Sequence, residues 1–483
     1  MRKTTTHLPE VAHYVECVVR FDPKQVVRVL CGRRGDWRLR MPVRPDTPHP
    51  GAHWVGPIVM IGASVVGWYA FDDAIGREGN VVFALYIGSV SILLMAFSFV
   101  LATRVRLLEP FFGGLDRMYR WHRWFGALAV AAMWLHIQNV DDVKGIRGAS
   151  KSVAEAAEEL AGTGETILYV LVAVSLIRWV PYRWWRQLHK LLIVPYLFAC
   201  WHFHTATKPY ANDSAWGRWF QAVMVLGIGA WLWRVVWRDG IRRGHRYRIE
   251  SISRSGTITT FDMTPVGAAL RHSAGQFAFF RFGSRSATEP HPFTIASAPD
   301  DPSLRVHVKN LGDWSDRIGD RLVVGDPVRV EGPYGKLRPL PPRPRTTVWV
   351  AGGVGITPFL GAVRLLRDGD VVPHLFYAVR SRDDTAGLSE LTAAASAGRV
   401  VLHLHVSKEG NRLRSEDLLE IFGAGGLRGA HVVMCGPEAM VRDMSNAARE
   451  LGARRVHVEG FDIRTGIGPD LSREIASLRE YSR

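Results

Sequence analysis

The chain has 483 residues, a formal net charge of +16 and a mean hydropathy of +0.01. A basic soluble protein should lie clearly below zero on this scale, so strongly apolar tracts must offset the Lys and Arg. A chain with this many apolar residues can bury a core, which excludes disorder. Four cysteines exclude a disulfide-stabilised scaffold. A basic chain of this length suggests two or three domains and either nucleic acid or an anionic membrane surface as its partner.

Six apolar tracts precede residue 240, and each is near the ~20 residues that cross a hydrocarbon core ~30 Å thick. They cover residues 54–71, 81–102, 124–140, 167–180, 188–203 and 220–237. We therefore predict a multidomain membrane protein that begins with a six-helix transmembrane bundle over residues 51–240.

Basic residues flank these tracts on alternate connections. Residues 1–50 contain ten Lys or Arg, and further Arg follow the second, fourth and sixth tracts. The positive-inside rule then places both termini in the cytoplasm of a multi-pass protein of the cell membrane. It argues against nucleic acid as a partner, because no nucleic-acid-binding motif accompanies these Arg. Residues 1–50 are expected to form a basic cytoplasmic arm that lies on anionic lipid or docks a partner protein.

Histidines recur at two depths in the third and fifth tracts. His122 and His136 are 14 residues apart, a helical rise of ~21 Å, and fall within ~40° of one face. His189 and His202 match them in rise (~20 Å) but differ in phase by ~140°, which Pro195 between them can correct by kinking the helix. His204 would be only ~60° out of phase with His189 and is a rival ligand.

Two facing helices with His at two depths can hold two stacked haem b groups, each between two imidazoles. The proposed metal ligands are His122, His136, His189 and His202. The predicted partners of the inner haem's propionates are Arg120, Arg123, Arg186 and Lys190. The alternatives are histidines that only hydrogen-bond between helices, or a metal-ion transporter that uses the same residues.

The pattern changes after Arg248, where short alternating runs at 247–252, 257–263 and 304–309 predict strands. In the segment 291–297, the aromatic Phe293 can pack on the face of a flat ring, and the neighbouring Thr294 can form a hydrogen bond with the edge of that ring. A basic, Gly-containing turn suits a diphosphate. The candidate cofactor-binding residues here are His291, Pro292, Phe293, Thr294, Ser297, Lys309, Gly312, Ser315, Gly332, Tyr334 and Gly335.

Residues 348–358 have a strand, a Gly-rich turn and a helix start in the order that binds a nucleotide diphosphate. Thr357 and Pro358 suit the N-cap and first helical position. Later strands at 372–379 and 431–435 predict a doubly wound α/β sheet, with a 2′-phosphate near Arg380 and Arg382. The candidate nucleotide-binding residues are Gly352, Gly353, Gly355, Thr357, Pro358, Arg380, Arg382, Gly436 and Pro437.

In this order, the four histidines, residues 291–297, 332–335 and 352–358, and Cys435–Gly436–Pro437 resemble the NADPH oxidase and ferric reductase family over nearly all of 51–465. The resemblance implies an FAD-binding antiparallel β-barrel over 241–342 and an NAD(P)H-binding domain over 343–483. It implies that Cys435 lies near the nicotinamide and that Phe461 covers the flavin. The inner haem pair would be His122 with His189, and the outer pair His136 with His202.

The expected function is electron transfer from cytoplasmic NADPH or NADH through FAD and two haems to oxygen or a ferric complex across the membrane. Oxidases of the family carry a further His one turn beyond the outer ligand, where this chain has Val140. Two other classes stay open: a transporter or channel that senses dinucleotide, and a redox module that donates electrons to a partner protein.

Overall fold

The computed structural model describes residues 15–22, 25–31, 54–71, 79–140, 146–177, 180, 182–241, 244–283, 289–310, 313–341 and 346–459. The chain divides into two compact units, residues 1–50 and 51–483. In the first unit, strands β1 (Val15–Asp22) and β2 (Gln25–Cys31) form an antiparallel hairpin. The sequence prediction of a basic arm did not include this hairpin.

Helices occupy all six apolar tracts at the start of the second unit. They are α1 (Val55–Val66), α2 (Gly79–Ala102), the short α3 (Glu109–Phe112), α4 (Leu115–Asn139), α5 (Lys151–Leu176), α6 (Tyr182–Lys190), α7 (Ile193–Thr205) and α8 (Ala215–Leu232), which continues as a π-helix over Trp233–Ile241. Among the described helices, three stretches are long and apolar enough to cross a membrane: Val82–Ala102, Lys151–Leu176 and Ala215–Gly240. The count of six spans stays a prediction.

Helix α5 begins at Lys151, well before the predicted start at 167. The charge of residues 151–166 predicts a connection between spans instead of a helix. Their Ala and Glu content favours helix, however, and hydropathy detects only the apolar half of such a helix.

The fifth tract is broken at Leu191 and Leu192, between α6 and α7. Pro195 has no N–H to donate to the Leu191 carbonyl, which instead accepts from Val194 N at 2.9 Å. His189 and His202 therefore lie on two separate helices, and the correction of their phase stays a prediction.

A two-stranded ribbon, β3 (Ile146–Arg147) with β4 (Thr207–Lys208), lies beyond α7. The buried Lys208 ammonium donates to the carbonyls of Phe203 at 2.8 Å and Ala206 at 3.2 Å. Lys208 thus neutralises the negative end of the helix that carries His202.

The second part of this unit is a six-stranded antiparallel sheet. Its strands are β5 (His245–Ser255), β6 (Ile258–Pro265), β7 (Phe277–Phe282), β8 (His291–Thr294), β9 (Leu304–Lys309) and β10 (Pro327–Tyr334), with α9 (Asp313–Arg321) after β9. The order is β8-β7-β10-β5-β6-β9. Ala296 N–H donates to Arg305 O at 2.9 Å, so the chain leaving one edge strand meets the other. The strands predicted from alternation are confirmed, and closure into a barrel stays a prediction.

The third part is a five-stranded parallel sheet with helices, which confirms the predicted doubly wound α/β domain. Its elements are β11 (Thr347–Gly352), α10 (Thr357–Val363), β12 (His374–Val379), α11 (Leu388–Ser396), β13 (Val401–Val406), α12 (Ser415–Phe422), β14 (His431–Cys435), α13 (Glu438–Glu450) and β15 (Val456–Glu459). The order is β13-β12-β11-β14-β15, and every residue of the central strand β11 is buried. A strand covered on both faces needs this continuous apolar run.

A buried carboxylate, Asp239, joins the bundle to the antiparallel sheet. It accepts from Arg186 of α6 at 2.5 Å, Arg234 at 2.6 Å and Arg281 of β7 at 2.8 Å, and Lys190 lies 3.7 Å away. Asp239 is only 8% exposed. The group therefore holds a surplus of positive charge at one end of the bundle.

Replacing Asp239 with Asn should lower the free energy of unfolding by roughly 3–5 kcal/mol, because it leaves four half-buried cations without their carboxylate. Thermal unfolding of the purified full chain in detergent measures this. The matched control, Asp320→Asn, breaks the exposed Arg254–Asp320 pair and should cost less than about 1 kcal/mol. Equal losses in both variants would contradict the assignment of Asp239 as a buried anchor.

Candidate functional site

Helix α2 supplies backbone acceptors that orient the two histidines of α4. His122 Nδ1 lies 2.9 Å from Ser98 O, and His136 Nδ1 lies 2.8 Å from Ala84 O. A carbonyl only accepts, so each Nδ1 carries the proton and each Nε2 keeps its lone pair. That is the tautomer a metal-ligating imidazole requires.

His189 of α6 has the same tautomer for a different reason. Its Nδ1 lies 3.1 Å from Ser175 Oγ, whose hydroxyl already donates to Leu171 O at 2.7 Å. The serine must therefore accept from His189 Nδ1, which leaves Nε2 available. The rings of His122 and His189 are neighbours, with centroids 5.9 Å apart and planes at 67° to each other. The sequence-predicted inner pair is brought together.

His136 and His202, the predicted outer pair, are close enough to interact electrostatically. Within the described residues, His202 Nδ1 is buried and has no hydrogen-bond partner. His204 is exposed. A Cβ on Gly88 of α2 would meet His136 Nδ1 at 2.7 Å, so a glycine is required there for the ring to lie against α2. Among the described residues, no group of three or more His, Cys, Asp or Glu is placed to hold a metal ion.

Two of the four predicted propionate partners are held by Asp239. Arg186 and Lys190 belong to the group around this carboxylate, and Arg120 lies 3.5 Å from Asp116, one helical turn before it. The surplus charge around Asp239 still leaves these cations suited to further anions.

The predicted flavin residues lie on β8, which pairs with β7. His291 stacks on Trp314 of α9 with centroids 3.6 Å apart and planes at 19°, and Phe293 is nearly parallel to Trp314 at 6.0 Å. His291 Nε2 and Thr294 Oγ1 are buried without hydrogen-bond partners among the described residues, although Glu289 Oε2 lies 3.7 Å from His291 Nε2. A stack of flat rings beside orphaned polar atoms fits a planar heteroaromatic ligand such as a flavin.

Other predicted residues of this region have structural partners. Ser297 is buried, and its hydroxyl accepts from Arg305 N at 3.1 Å. Tyr334 donates to Glu331 at 2.9 Å, and Gly335 N–H donates to Glu109 of α3 at 3.0 Å. The turn at 332–335 therefore contacts the helix bundle. Ser315 lies in the first turn of α9, while Gly312 and Phe461 lie outside the described residues.

The predicted nucleotide loop lies where the strand order of the parallel sheet reverses, between β11 and β14. Ligands of doubly wound sheets bind in the crevice at this switch point. Gly353 has a φ of +55°, which favours glycine, and a Cβ there would lie 3.6 Å from Lys309 Nζ of the antiparallel sheet. A Cβ on Gly355 would collide with the Cys435 carbonyl. The glycines thus allow β11 and β14 to meet as well as allowing a phosphate to approach.

The helix after this loop begins one residue earlier than predicted. The N-cap is Ile356, and Thr357 and Pro358 are the first two helical residues. The Thr357 hydroxyl donates to Val354 O at 3.0 Å and so is not the capping acceptor.

Of the predicted phosphate-binding arginines, Arg382 is exposed and makes two hydrogen bonds with Glu409, at 2.9 and 3.1 Å. Arg380 is also exposed, at the end of β12. Cys435 is fully buried at the end of β14, where Gly436 and Pro437 follow it.

The sequence reasoning missed the residues that dock the sheet on the bundle, chiefly Arg104 and Glu331. Glu331 is 8% exposed and accepts from Arg238 at 2.9 Å. Burial opposes its ionisation, but the nearby Arg104, Arg234 and Arg238 outweigh burial and hold the pKa of Glu331 below its usual value. Since the partners are far apart in the chain, no local pattern identifies them.

Three family models match the chain in this order. The ferric reductase like transmembrane component matches residues 87–200, the FAD-binding domain matches 262–338, and the oxidoreductase NAD-binding domain matches 349–446. These domains define a membrane-embedded flavin oxidoreductase that uses NAD(P)H. The order of these three matches agrees with the resemblance to the NADPH oxidase and ferric reductase family.

The carnitine monooxygenase reductase subunit of Escherichia coli K12 is 37% identical over 219 residues, which cover 44% of this chain and 65% of that protein. A superoxide-generating NADPH oxidase heavy chain of Dictyostelium discoideum is 26% identical over 236 residues, 43% of this chain and 32% of that protein. The chain thus spans less than two thirds of either relative. The crystal structure of the Amycolatopsis cytochrome P450 reductase has a TM-score of 0.40 and 23% identity, over 45% of this chain and 69% of that one.

Burial lowers the pKa of His307 to about 4, since only Nδ1 has a partner, at 2.8 Å from Thr260. The unfolded chain therefore binds more protons between pH ~6.5 and ~4, and stability falls as the pH is lowered through this range. The contribution of this imidazole amounts to about 3 kcal/mol at most. His307→Gln should unfold with a shallower pH dependence in this window than the native chain. Equal slopes for the two proteins would contradict the prediction.

Proposed function

We propose that the chain passes electrons from cytoplasmic NAD(P)H through FAD and two stacked haem b groups to a small acceptor on the opposite side of the cell membrane. The observation that carries the proposal is the tautomer of the bundle histidines. His122, His136 and His189 each have Nδ1 engaged in a way that leaves Nε2 available.

The residues fit the proposed haems on the observations of this structure. His122 and His189, whose ring centroids lie 5.9 Å apart, form the inner pair. His136 and the half-buried His202 form the outer pair, and the exposure of His204 favours His202 as the ligand. Bound between imidazoles, haem supplies a one-electron redox centre, and FAD supplies the exchange between a two-electron hydride and single electrons.

Within the proposal, the chain's own residues orient and charge these sites. Ser98 O and Ala84 O hold two imidazoles in one tautomer, and the cations around Asp239 provide charge for anionic substituents near His189. The flat rings of His291, Phe293 and Trp314 would hold a flavin ring in the sheet domain. Gly353 and Gly355 admit the nucleotide diphosphate at the switch point.

The proposed acceptor is oxygen or a ferric complex. Val140, where oxidases of the family carry a further His, is 40% exposed at the end of α4 and has no titratable group. The nearest fixed charge that the structure identifies beside His202 is Lys208. Burial lowers the pKa of Lys208 to about 8, so it is largely cationic at neutral pH. Oxygen uptake and ferric-chelate reduction, compared during NADPH turnover in detergent, distinguish the two acceptors.

A second candidate function is electron donation to a partner protein. It is supported by the similarity to a protein named as a reductase subunit of carnitine monooxygenase. The basic arm would be the docking surface. Deletion of residues 1–45 should leave ferric-chelate reduction unchanged in a self-sufficient reductase.

Replacing His136 with Ala should remove the outer haem and stop acceptor reduction, while NADPH still reduces the flavin. The haem-to-flavin ratio and the Soret absorbance measure the loss. The control, His204→Ala, removes an exposed imidazole nearby and should retain both haems. Full transmembrane electron transfer in the His136 variant would overturn the assignment.

Arg380 and Arg382 are proposed to select NADPH over NADH. Replacing both arginines with alanine should raise the KM for NADPH by about ten- to hundredfold and leave the KM for NADH unchanged. The rise is the effect of losing charge-assisted hydrogen bonds to the 2′-phosphate, which NADH lacks. The exposed Arg399 of the same domain provides the control Arg399→Ala. An equal rise in both KM values would show that the two arginines act only on the fold.

A further inference from the structure

A continuous series of contacts crosses from the predicted flavin strand to the predicted inner haem ligand. Pro292 of β8 pairs in register with Phe279 of β7. The Arg104 guanidinium lies 3.6 Å from the centre of the Phe279 ring, and its Nε donates to Tyr119 Oη at 2.5 Å. The Tyr119 ring lies 6.4 Å from the ring of His122, measured between centroids. One side chain, Arg104, therefore touches both parts of the molecule.

The backbone of Arg104 is held in an unfavourable conformation. Its φ of +55° lies in the left-handed region, and it is the one residue other than glycine with this φ among the described residues. Strained backbone of this kind persists only where surrounding contacts determine it, and it is concentrated at functional sites. Arg104 is the second residue after the end of α2, and its side chain lies in the junction, where the residue is 6% exposed.

A buried carboxylate completes the surroundings of this guanidinium. Glu331 of β10 lies 3.9 Å from Arg104 Nη1 and accepts a shorter bond from Arg238 at 2.9 Å. Phe279 and Tyr334 also belong to the same hydrophobic core as the bundle residues around α2. The sheet is therefore packed onto the bundle at the point where Arg104 crosses, and is not connected to it by a linker alone.

The contacts of Arg104 use properties that lysine lacks. A planar guanidinium stacks on an aromatic face and donates in its own plane at the same time. Here the face is that of Phe279 and the in-plane acceptor is Tyr119, so the orientation of one aromatic ring fixes the other. An ammonium could retain the charge, but it could not set both rings.

We propose that Arg104 is a positioning residue that fixes the separation of the flavin-binding sheet from His122, and so sets the rate of electron transfer from the sheet into the bundle. The inference rests on the proposed function. Each NAD(P)H oxidised gives up two electrons and releases one proton, and the electrons cross the junction singly, so two acceptors each gain one electron. Since tunnelling slows steeply with distance, a small loosening of the junction slows this step and leaves hydride transfer unchanged.

The experiment is stopped-flow reduction of the full-length protein in detergent by NADPH, with flavin bleaching and haem reduction recorded separately. In Arg104→Met we expect flavin bleaching within twofold of the native rate and haem reduction slowed at least tenfold, with haem content unchanged. Arg104→Lys should be slowed similarly, because geometry and not charge is lost. Tyr119→Phe removes only the hydroxyl, so it provides a milder test if the Arg104 variants fail to fold, and should slow haem reduction at least threefold.

The control Arg106→Met removes an exposed arginine two residues away and should match the native protein in both phases. Native haem reduction in Arg104→Met or Tyr119→Phe, native rates in Arg104→Lys, or equal slowing of both phases would each overturn the proposal. Absence of haem, or of a haem-reduction phase, in the native protein would overturn the proposed function itself and this inference with it. The two failures are therefore distinguishable.

Discussion

The arrangement of the described second unit depends on two buried carboxylates at the junction of bundle and sheet. Asp239, at the end of the last bundle helix, binds Arg281 of the sheet, while Glu331 of the sheet binds Arg238 from the bundle side. Each part thus presents an acid to the other part's arginine. Apolar contacts alone allow two surfaces to slide, whereas directional charge-assisted bonds at low exposure define one orientation. The order of the cofactor sites along the molecule follows from that orientation.

Hydrogen bonding performs a similar task inside the bundle. Imidazoles surrounded by apolar side chains could adopt either tautomer and several rotamers. The backbone carbonyls of α2 can only accept a hydrogen bond, so they select the tautomer with the proton on Nδ1 in His122 and His136. Helix α2 therefore contributes to both depths of the bundle although it provides no ligand. Gly88 completes this role, since any larger residue would displace the ring of His136.

The nucleotide loop shows that one residue type can meet two requirements. Gly355 is pressed against the Cys435 carbonyl, so its lack of a side chain is needed for β11 and β14 to join at their ends. Gly353 has a positive φ that favours glycine, and it lies beside Lys309 of the neighbouring sheet. A motif that indicates phosphate binding in the sequence is therefore also a packing motif, and the glycines alone do not separate the two roles.

The sequence alone determined the elements whose signal is local. Hydropathy located the helical tracts, alternation located the strands, and the run of glycines after a buried strand located the nucleotide loop. Helix spacing placed His122 and His136 on one face, because rise and rotation accumulate regularly along an unbroken helix. The same arithmetic failed for His189 and His202, since it assumes a continuous helix and Pro195 follows a break.

Only the tertiary structure decided which distant groups meet. The preference for His202 over His204 in the proposed outer pair rests on exposure, and the tautomers rest on acceptors from other helices. The junction around Arg104 rests on Phe279 and Glu331, which are 175 and 227 residues away in the chain. The sequence was enough to relate the arginines near the ends of the apolar tracts to the predicted orientation of the chain in the membrane, because counting charges does not require knowing which group each arginine binds. Their roles as anchors could not, because an ion pair is defined by two positions in space and the sequence gives only one at a time.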